Sequence, residues 1–500
     1  MTQVQTAGQV TEATLRPPFF NVQHYINGAF VEGQRHFEIH YPATNEVIGR
    51  APEGQAEEVA AAVSAAQAAF KSWGTMPARQ RRALLHRFAQ LIREHAEELA
   101  RIETYDVGRP IRENNPAIYI ERVAWNLEFF ADFAVTHGSE AYLMDNGYVN
   151  YVQRMPVGVA ALITPWNVPL LLATWKMGPA LAFGNTVVLK PAEFTPIGAW
   201  KLAQLAHEAG LPPGVFNVVH GFGPDSAGAL LTQHPGVRLI SFTGESNTGK
   251  HIMQAAAPTL KRLSFELGGK GANIIFADAD LERAVQISLR ASFFNQGEFC
   301  LAGPRLLVQR PLYETFLERF VQATREQIRP GDPFDPDTTL GALIHPDHLK
   351  RVQFYIELAR QQGARVLIGG DRPELPSPLD RGNFLNPTII EGVQPTDRVC
   401  QEEIFGPVVT VLPFDTEEEA IAIANGVAYG LSAVVQTRDA GRAVRVAQAL
   451  EAGTVWVNDF FVRDLRVPFG GMKQSGIGRE GGQYSLEFYT EIKNICLANQ

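Results

Sequence analysis

In residues 55–73 an alanine-rich stretch sets Val59, Val63, Ala66 and Phe70 at helical spacing, which gives the segment one apolar face. The same period in Leu84, Leu85, Phe88, Leu91 and Ile92 predicts a second helix over residues 78–102, and a third spans 117–134. These faces serve packing. Beyond Val157 the pattern changes to short apolar runs at 158–163, 186–189 and 215–219, each followed by a loop and a helical stretch. Uninterrupted apolar runs of that length suit strands covered on both faces, so the pattern predicts a doubly wound parallel sheet. After Glu266 it restarts with runs at 272–276, 305–308 and 408–412, which predicts a second α/β domain. Residues 24–31 read as a hairpin turned at Asn27-Gly28, and residues 1–22 as a loose arm. Two lone extended segments, 148–154 and 490–497, are expected to pair with each other or with another subunit.

Composition narrows the class. A chain of 500 residues exceeds what one core organises, so two or three compact units are expected. The net charge of −9, with no basic cluster, argues against a nucleic-acid partner. The longest apolar region, 157–189, is broken by Pro165, Asn167, Pro169, Lys176 and Asn185, which do not suit a membrane span. With no apolar core of a signal peptide in the first twenty residues, a cytoplasmic address follows. In that compartment the three cysteines, Cys300, Cys400 and Cys496, are not expected to form disulfides.

Cys300 ends the stretch Phe293-Phe294-Asn295-Gln296-Gly297-Glu298-Phe299-Cys300, where Gly297 lets the backbone turn close to a ligand and the aromatics wall a pocket. Alone it reads more readily as a small buried hydrophobe than as a nucleophile. Asn167, in Thr164-Pro165-Trp166-Asn167-Val168-Pro169, follows a strand and either donates to an oxyanion or caps a turn. Lys190 and Glu193 either hold the hydroxyls of an adenosine ribose, with Glu193 repelling a 2′-phosphate, or form an exposed pair. Phe242-Thr243-Gly244-Glu245-Ser246 joins a strand to a helix beginning near Thr248, a turn able to receive a pyrophosphate. A similar turn contains Gly223. Glu266, in an apolar segment before Gly268-Gly269, reads as a base for water or as a paired structural acid. Glu403 suits ribose hydroxyls and Phe405 a nicotinamide face.

Taken together, these motifs resemble the aldehyde dehydrogenase superfamily over residues 24–497, in the family's order. The details look most like the branch of 5-carboxymethyl-2-hydroxymuconate and 2-hydroxymuconate semialdehyde dehydrogenases. The resemblance implies Cys300 as nucleophile, Asn167 as oxyanion donor and Glu266 as general base. It implies an NAD site of Thr164, Trp166, Lys190, Glu193, Gly223, Phe242, Gly244, Ser246, Glu403 and Phe405, with no metal. It also implies a Rossmann-type NAD domain over 23–140 and 157–265, a catalytic domain over 266–483, and a small β arm from 141–156 and 484–500 that makes a homodimer or homotetramer. Glu245 departs from the family, where many members carry serine, and is expected to point away from the pyrophosphate.

Because the chemistry reads only the aldehyde, substrate choice falls to the pocket lining, where Val168, Trp175, Phe294 and Phe299 suggest an apolar, partly aromatic channel. Arg122 and Arg463 are placed at its mouth to bind a remote carboxylate, with Arg466 in reserve; the alternative is that both form ordinary salt bridges. The expected activity is NAD-dependent oxidation of a muconic-type semialdehyde. A general aldehyde dehydrogenase without an acid-binding site, a CoA-acylating relative and a binding protein that kept the fold are the competing readings.

Overall fold

Aliphatic runs buried along their whole length build two largely parallel sheets. A computed structural model describes residues 17–498. The first sheet runs Gly476–Ile477, Arg262–Glu266, Leu239–Thr243, Val159–Ile163, Thr186–Lys190, Phe216–Val218, His24–Ile26, Ala29–Val31, with its five inner strands parallel and its edges antiparallel. From Val159–Ile163 the chain adds strands in one direction, then crosses to add Leu239–Thr243 and Arg262–Glu266 on the other side. The order therefore reverses beside Val159–Ile163, and the crevice at that point is where a ligand binds in such sheets. The second sheet runs Arg365–Ile368, Thr388–Glu391, Val408–Phe414, Arg305–Gln309, Ala272–Ile275, Ser432–Gln436, Thr454–Val457, parallel except at its first strand. The hairpin forms as read, with Asn27 and Gly28 at φ 52° and 80°.

The structure departs from the expected layout in several places. Residues 1–16 of the supposed arm lie outside the described residues, but Phe20–Asn21 is a strand parallel to Val47–Pro52, held by the buried Val22 and by Phe20 against Tyr105. The single helix over 78–102 is two, Ala78–Glu94 and Ala96–Val107, broken at His95 because the first half follows Glu121–Thr136 and the second follows Pro196–Glu208. Gly476–Ile477, within the span 266–483, pairs with Arg262–Glu266 in the first sheet. Residues 482–489 are helical and dock on the body through Leu486 and Tyr489, so the extended arm begins only at Thr490. Thr490–Leu497 pairs antiparallel with Val149–Pro156, which pairs in turn with Ala141–Leu143. Among the described residues no helix is long and apolar enough to cross a membrane.

Candidate active site

Between the helix Leu281–Phe293 and Cys300 the chain makes a left-handed run, with Asn295, Gln296 and Gly297 at φ 52°, 55° and 70°. Non-glycine residues hold such angles only when their surroundings enforce them. Here side-chain amides do so: Asn295 Nδ2 donates to the carbonyls of Asn167 (3.0 Å) and Glu298 (2.9 Å), and Asn167 Nδ2 donates to the Glu298 carbonyl (2.9 Å). The Glu113 carboxylate accepts the Asn295 N–H at 3.1 Å. Gly297 was expected beside a ligand, but it packs on protein: a Cβ there would run into the Gly406 carbonyl oxygen. Gly297→Ala is therefore expected to destabilise the fold by roughly 1–3 kcal/mol from backbone strain alone. Thermal unfolding would register this, together with a fall in kcat as the loop shifts.

Cys300 lines a cleft of about 400 Å³ with Trp166, Asn167, Phe194, Glu403 and Phe405. One N–H of Asn167 is committed to Glu298, which leaves the second for the cleft. The two glycines after Glu266 are what let this cleft close. A Cβ on Gly268 would collide with the Glu403 carboxylate, and one on Gly269 with the Cys300 carbonyl. Glu403 Oε1 also accepts the Gly269 N–H at 2.8 Å.

Glu266 ends the strand Arg262–Glu266, 4% exposed, with neither carboxylate oxygen hydrogen-bonded. Burial holds its carboxyl well above the usual range, and the nearby Glu480 adds to this, against Lys176, Arg463 and Arg479. The reading of Glu266 as a paired structural acid is thus not what the structure has. Burial, Glu403 and Glu266 push the Cys300 thiol up to about 12, with Arg463 opposing. Near neutral pH the thiol is protonated in the ligand-free protein, and burial favours the protonated form of Glu266, so each must lose a proton before it acts.

The coenzyme candidates divide. Thr164, Trp166 and Asn167 follow Val159–Ile163, and Gly244 follows Leu239–Thr243, so these stand at the point where the strand order reverses. Trp166 meets Phe405 edge to face at 5.3 Å. Lys190, at the end of the neighbouring strand, lies 3.5 Å from Glu193 and donates to the Pro191 carbonyl at 2.9 Å. Gly223 has open space where a Cβ would stand, whereas Gly244 is pressed on the Phe242 ring. Ser246 starts the helix Ser246–Ala256, two residues earlier than expected, and its hydroxyl donates to the Gln474 carbonyl (3.2 Å) instead of facing the cleft. Glu245, expected to point away, lies on the cleft rim facing Arg351. A cleft at the switch point, with a half-buried carboxylate over a diglycine and aromatic walls, fits a dinucleotide.

Arg463 stacks over Phe469 (3.7 Å) and Trp175 (5.2 Å), with its Nε buried and unbonded. Arg122 lies over Trp125 at 5.0 Å. Among the described residues neither forms an ion pair, whereas Arg466 is bound to Asp464 at 2.6 Å and points to solvent, which removes it as a candidate. Burial lowers both unpaired guanidiniums to about 10, and each keeps its charge at neutral pH. Phe294, Phe299 and Phe461 form a ring cluster beside the cysteine, centroids 4.8–5.8 Å apart.

Sequence reasoning missed the buried group behind Glu266. Lys176 Nζ donates to Glu480 Oε1 (2.8 Å) and to Ser241 (2.9 Å), and the Trp175 indole donates to Glu480 Oε2. The signal was present, since Lys176 is the one charge in the apolar helix Pro169–Ala182. His348 and Arg351 also line the cleft, without a local signature.

A sequence profile described as "Aldehyde dehydrogenase family" matches residues 30–495. The chain is 50% identical over 483 residues to the 2-hydroxymuconic semialdehyde dehydrogenase of Pseudomonas sp. (strain CF600), covering 95% of this chain and 99% of that protein. Among solved structures, HpcC from Thermus thermophilus superposes with a TM-score of 0.93 at 48% identity, covering 96% of this chain and 93% of that one. Betaine aldehyde dehydrogenase from Staphylococcus aureus in complex with NAD+ gives 0.91 at 40% identity, covering 95% and 94%.

Proposed function

The chain belongs to the aldehyde dehydrogenase family, and from that premise we propose that it oxidises a semialdehyde with a remote carboxylate to the acid, using NAD. The substrate proposed is 5-carboxymethyl-2-hydroxymuconate semialdehyde or a close 2-hydroxymuconate-type relative, an intermediate of aromatic catabolism. What carries the substrate claim is Arg463: a half-buried guanidinium whose Nε is enclosed and unbonded, without an ion pair among the described residues, and close enough to Cys300 to act on its thiol. A buried unpaired charge is unfavourable unless a ligand supplies its partner. Arg122 extends the same positive field toward solvent.

In this reading the Cys300 sulfur attacks the aldehyde carbon, and the oxyanion of the resulting thiohemiacetal takes the free N–H of Asn167 and the Cys300 backbone N–H. Bound NAD would supply the acceptor for the hydride that leaves as the thiohemiacetal becomes a thioester. Glu266, once deprotonated, takes a proton from water as it attacks the thioester, and Cys300 is released. Lys190 and Glu193 would hold the adenosine ribose, with Glu193 opposing a 2′-phosphate. Glu403 would hold the second ribose, and Phe405 and Trp166 would flank the nicotinamide side.

Arg463→Met tests the substrate claim. Loss of a charge-assisted pair worth roughly 1.5–3 kcal/mol should raise KM for a muconic-type semialdehyde by about 10- to 150-fold. The KM of a neutral aldehyde of equal length should not move. Equal effects on both would favour the general aldehyde dehydrogenase. We assign assembly into a homodimer or homotetramer to the three-stranded arm, on which Tyr142, Leu143, Ile492 and Leu497 are exposed. Three free cysteines suit a cytoplasmic address.

A further inference from the structure

Glu245 closes the turn after Leu239–Thr243 on one side of the cleft, and Arg351 stands on the helix Pro346–Gln361 on the other. Arg351 Nη1 lies 3.9 Å from Glu245 Oε1, with the side chains 45% and 54% exposed. The guanidinium also donates through Nη2 to the Glu403 carbonyl at 3.3 Å. Both charges act on Glu403, whose carboxyl is raised to about 7, chiefly by burial: Arg351 lowers it and Glu245 raises it. His345, Asp347 and His348 also line the cleft, and Tyr355, Glu402 and Tyr429 lie close enough to interact with Arg351. Arg351 is thus the strong cation at a mouth that must admit a dianionic pyrophosphate past a carboxylate.

We propose that Glu245 and Arg351 form an ion-pair gate across the mouth of the coenzyme cleft. In the free protein Arg351 neutralises Glu245. When the pyrophosphate enters, Arg351 turns to it and leaves Glu245 as an uncompensated like charge. Coenzyme affinity is then a difference between two competing pairs, and recapture of Arg351 by Glu245 speeds departure of the reduced coenzyme. Neither residue is needed for the chemistry at Cys300; together they set how fast the cleft is refilled. The inference rests on the coenzyme reading given above.

A double-mutant cycle on NADH binding without aldehyde tests it, read by fluorescence titration and by stopped-flow release. At low salt Glu245→Gln should tighten NADH binding roughly fivefold, the effect of one close charge in water, and slow its release. Arg351→Met should weaken binding by more than the double variant does, because it leaves Glu245 unpaired against the phosphates. Potassium chloride at high concentration should shrink all these differences. Weaker binding by Glu245→Gln, or single effects that simply multiply in the double variant, would overturn the gate while leaving the coenzyme reading intact. A wild-type protein that binds no NADH would remove the coenzyme reading itself, and the gate with it.

Discussion

Cys300→Ser is expected to lower kcat for aldehyde oxidation by about 10⁴-fold or more, the scale seen when a covalent nucleophile is removed. Serine keeps the shape of the site, so the loop held by Asn295 and Asn167 should persist and NADH should still bind. A hydroxyl beside Glu266 and Glu403 has no means of ionising, since burial, with those same carboxyls adding to it, already pushes the more acidic thiol up to about 12. The thiol makes its own prediction in the wild type. Labelling of the free enzyme by iodoacetamide should be slow at pH 7 and climb toward pH 10, since the thiolate is the reacting form. Fast labelling at pH 7, or oxidation that survives the serine variant, would remove Cys300 from the chemistry.

The parallel strands were legible because each is an unbroken aliphatic run, and burial on both faces demands that pattern whatever the partner strand. The structure brings together the residues that the sequence singled out by type: a thiol after a glycine turn, an amide after a strand, an acid in an apolar segment. What could not be read is non-local. Glu480 sits 304 positions from Lys176, and nothing near either residue names the other. Nothing beside Gly268 and Gly269 in the sequence tells that they let Glu403 and the Cys300 carbonyl approach from another part of the chain. The break at His95 likewise comes from two different packing partners, and the periodicity of residues 78–102 carries no sign of it. Arg463 was placed at the pocket by likeness to a family branch, and only the structure reveals that its enclosed Nε is unbonded and that it has no ion-pair partner among the described residues.

Glu266→Gln should separate the two halves of the reaction. The glutamine is isosteric and neutral, like the protonated acid that burial and Glu480 favour, so thioester formation should proceed and release one equivalent of NADH in a burst. Hydrolysis then lacks a base, and steady-state turnover should fall by about 10²- to 10⁴-fold. Intact-protein mass spectrometry should find the acyl group on Cys300. The pH profile adds an independent sign. A carboxyl raised by burial gains its proton-accepting form only as pH rises above the usual carboxylate range, so wild-type deacylation should climb with pH, and the glutamine variant should lose that limb. Hydride transfer that stays intact with no adduct, or an unchanged pH profile, would assign water activation elsewhere. The buried Lys176–Glu480 pair would be the next group to test, because its two charges act on Glu266 more strongly than the other ionisable side chains around it. Rescue of the variant's turnover by added CoA, and not by higher pH, would instead mean that a thiol is the natural acyl acceptor.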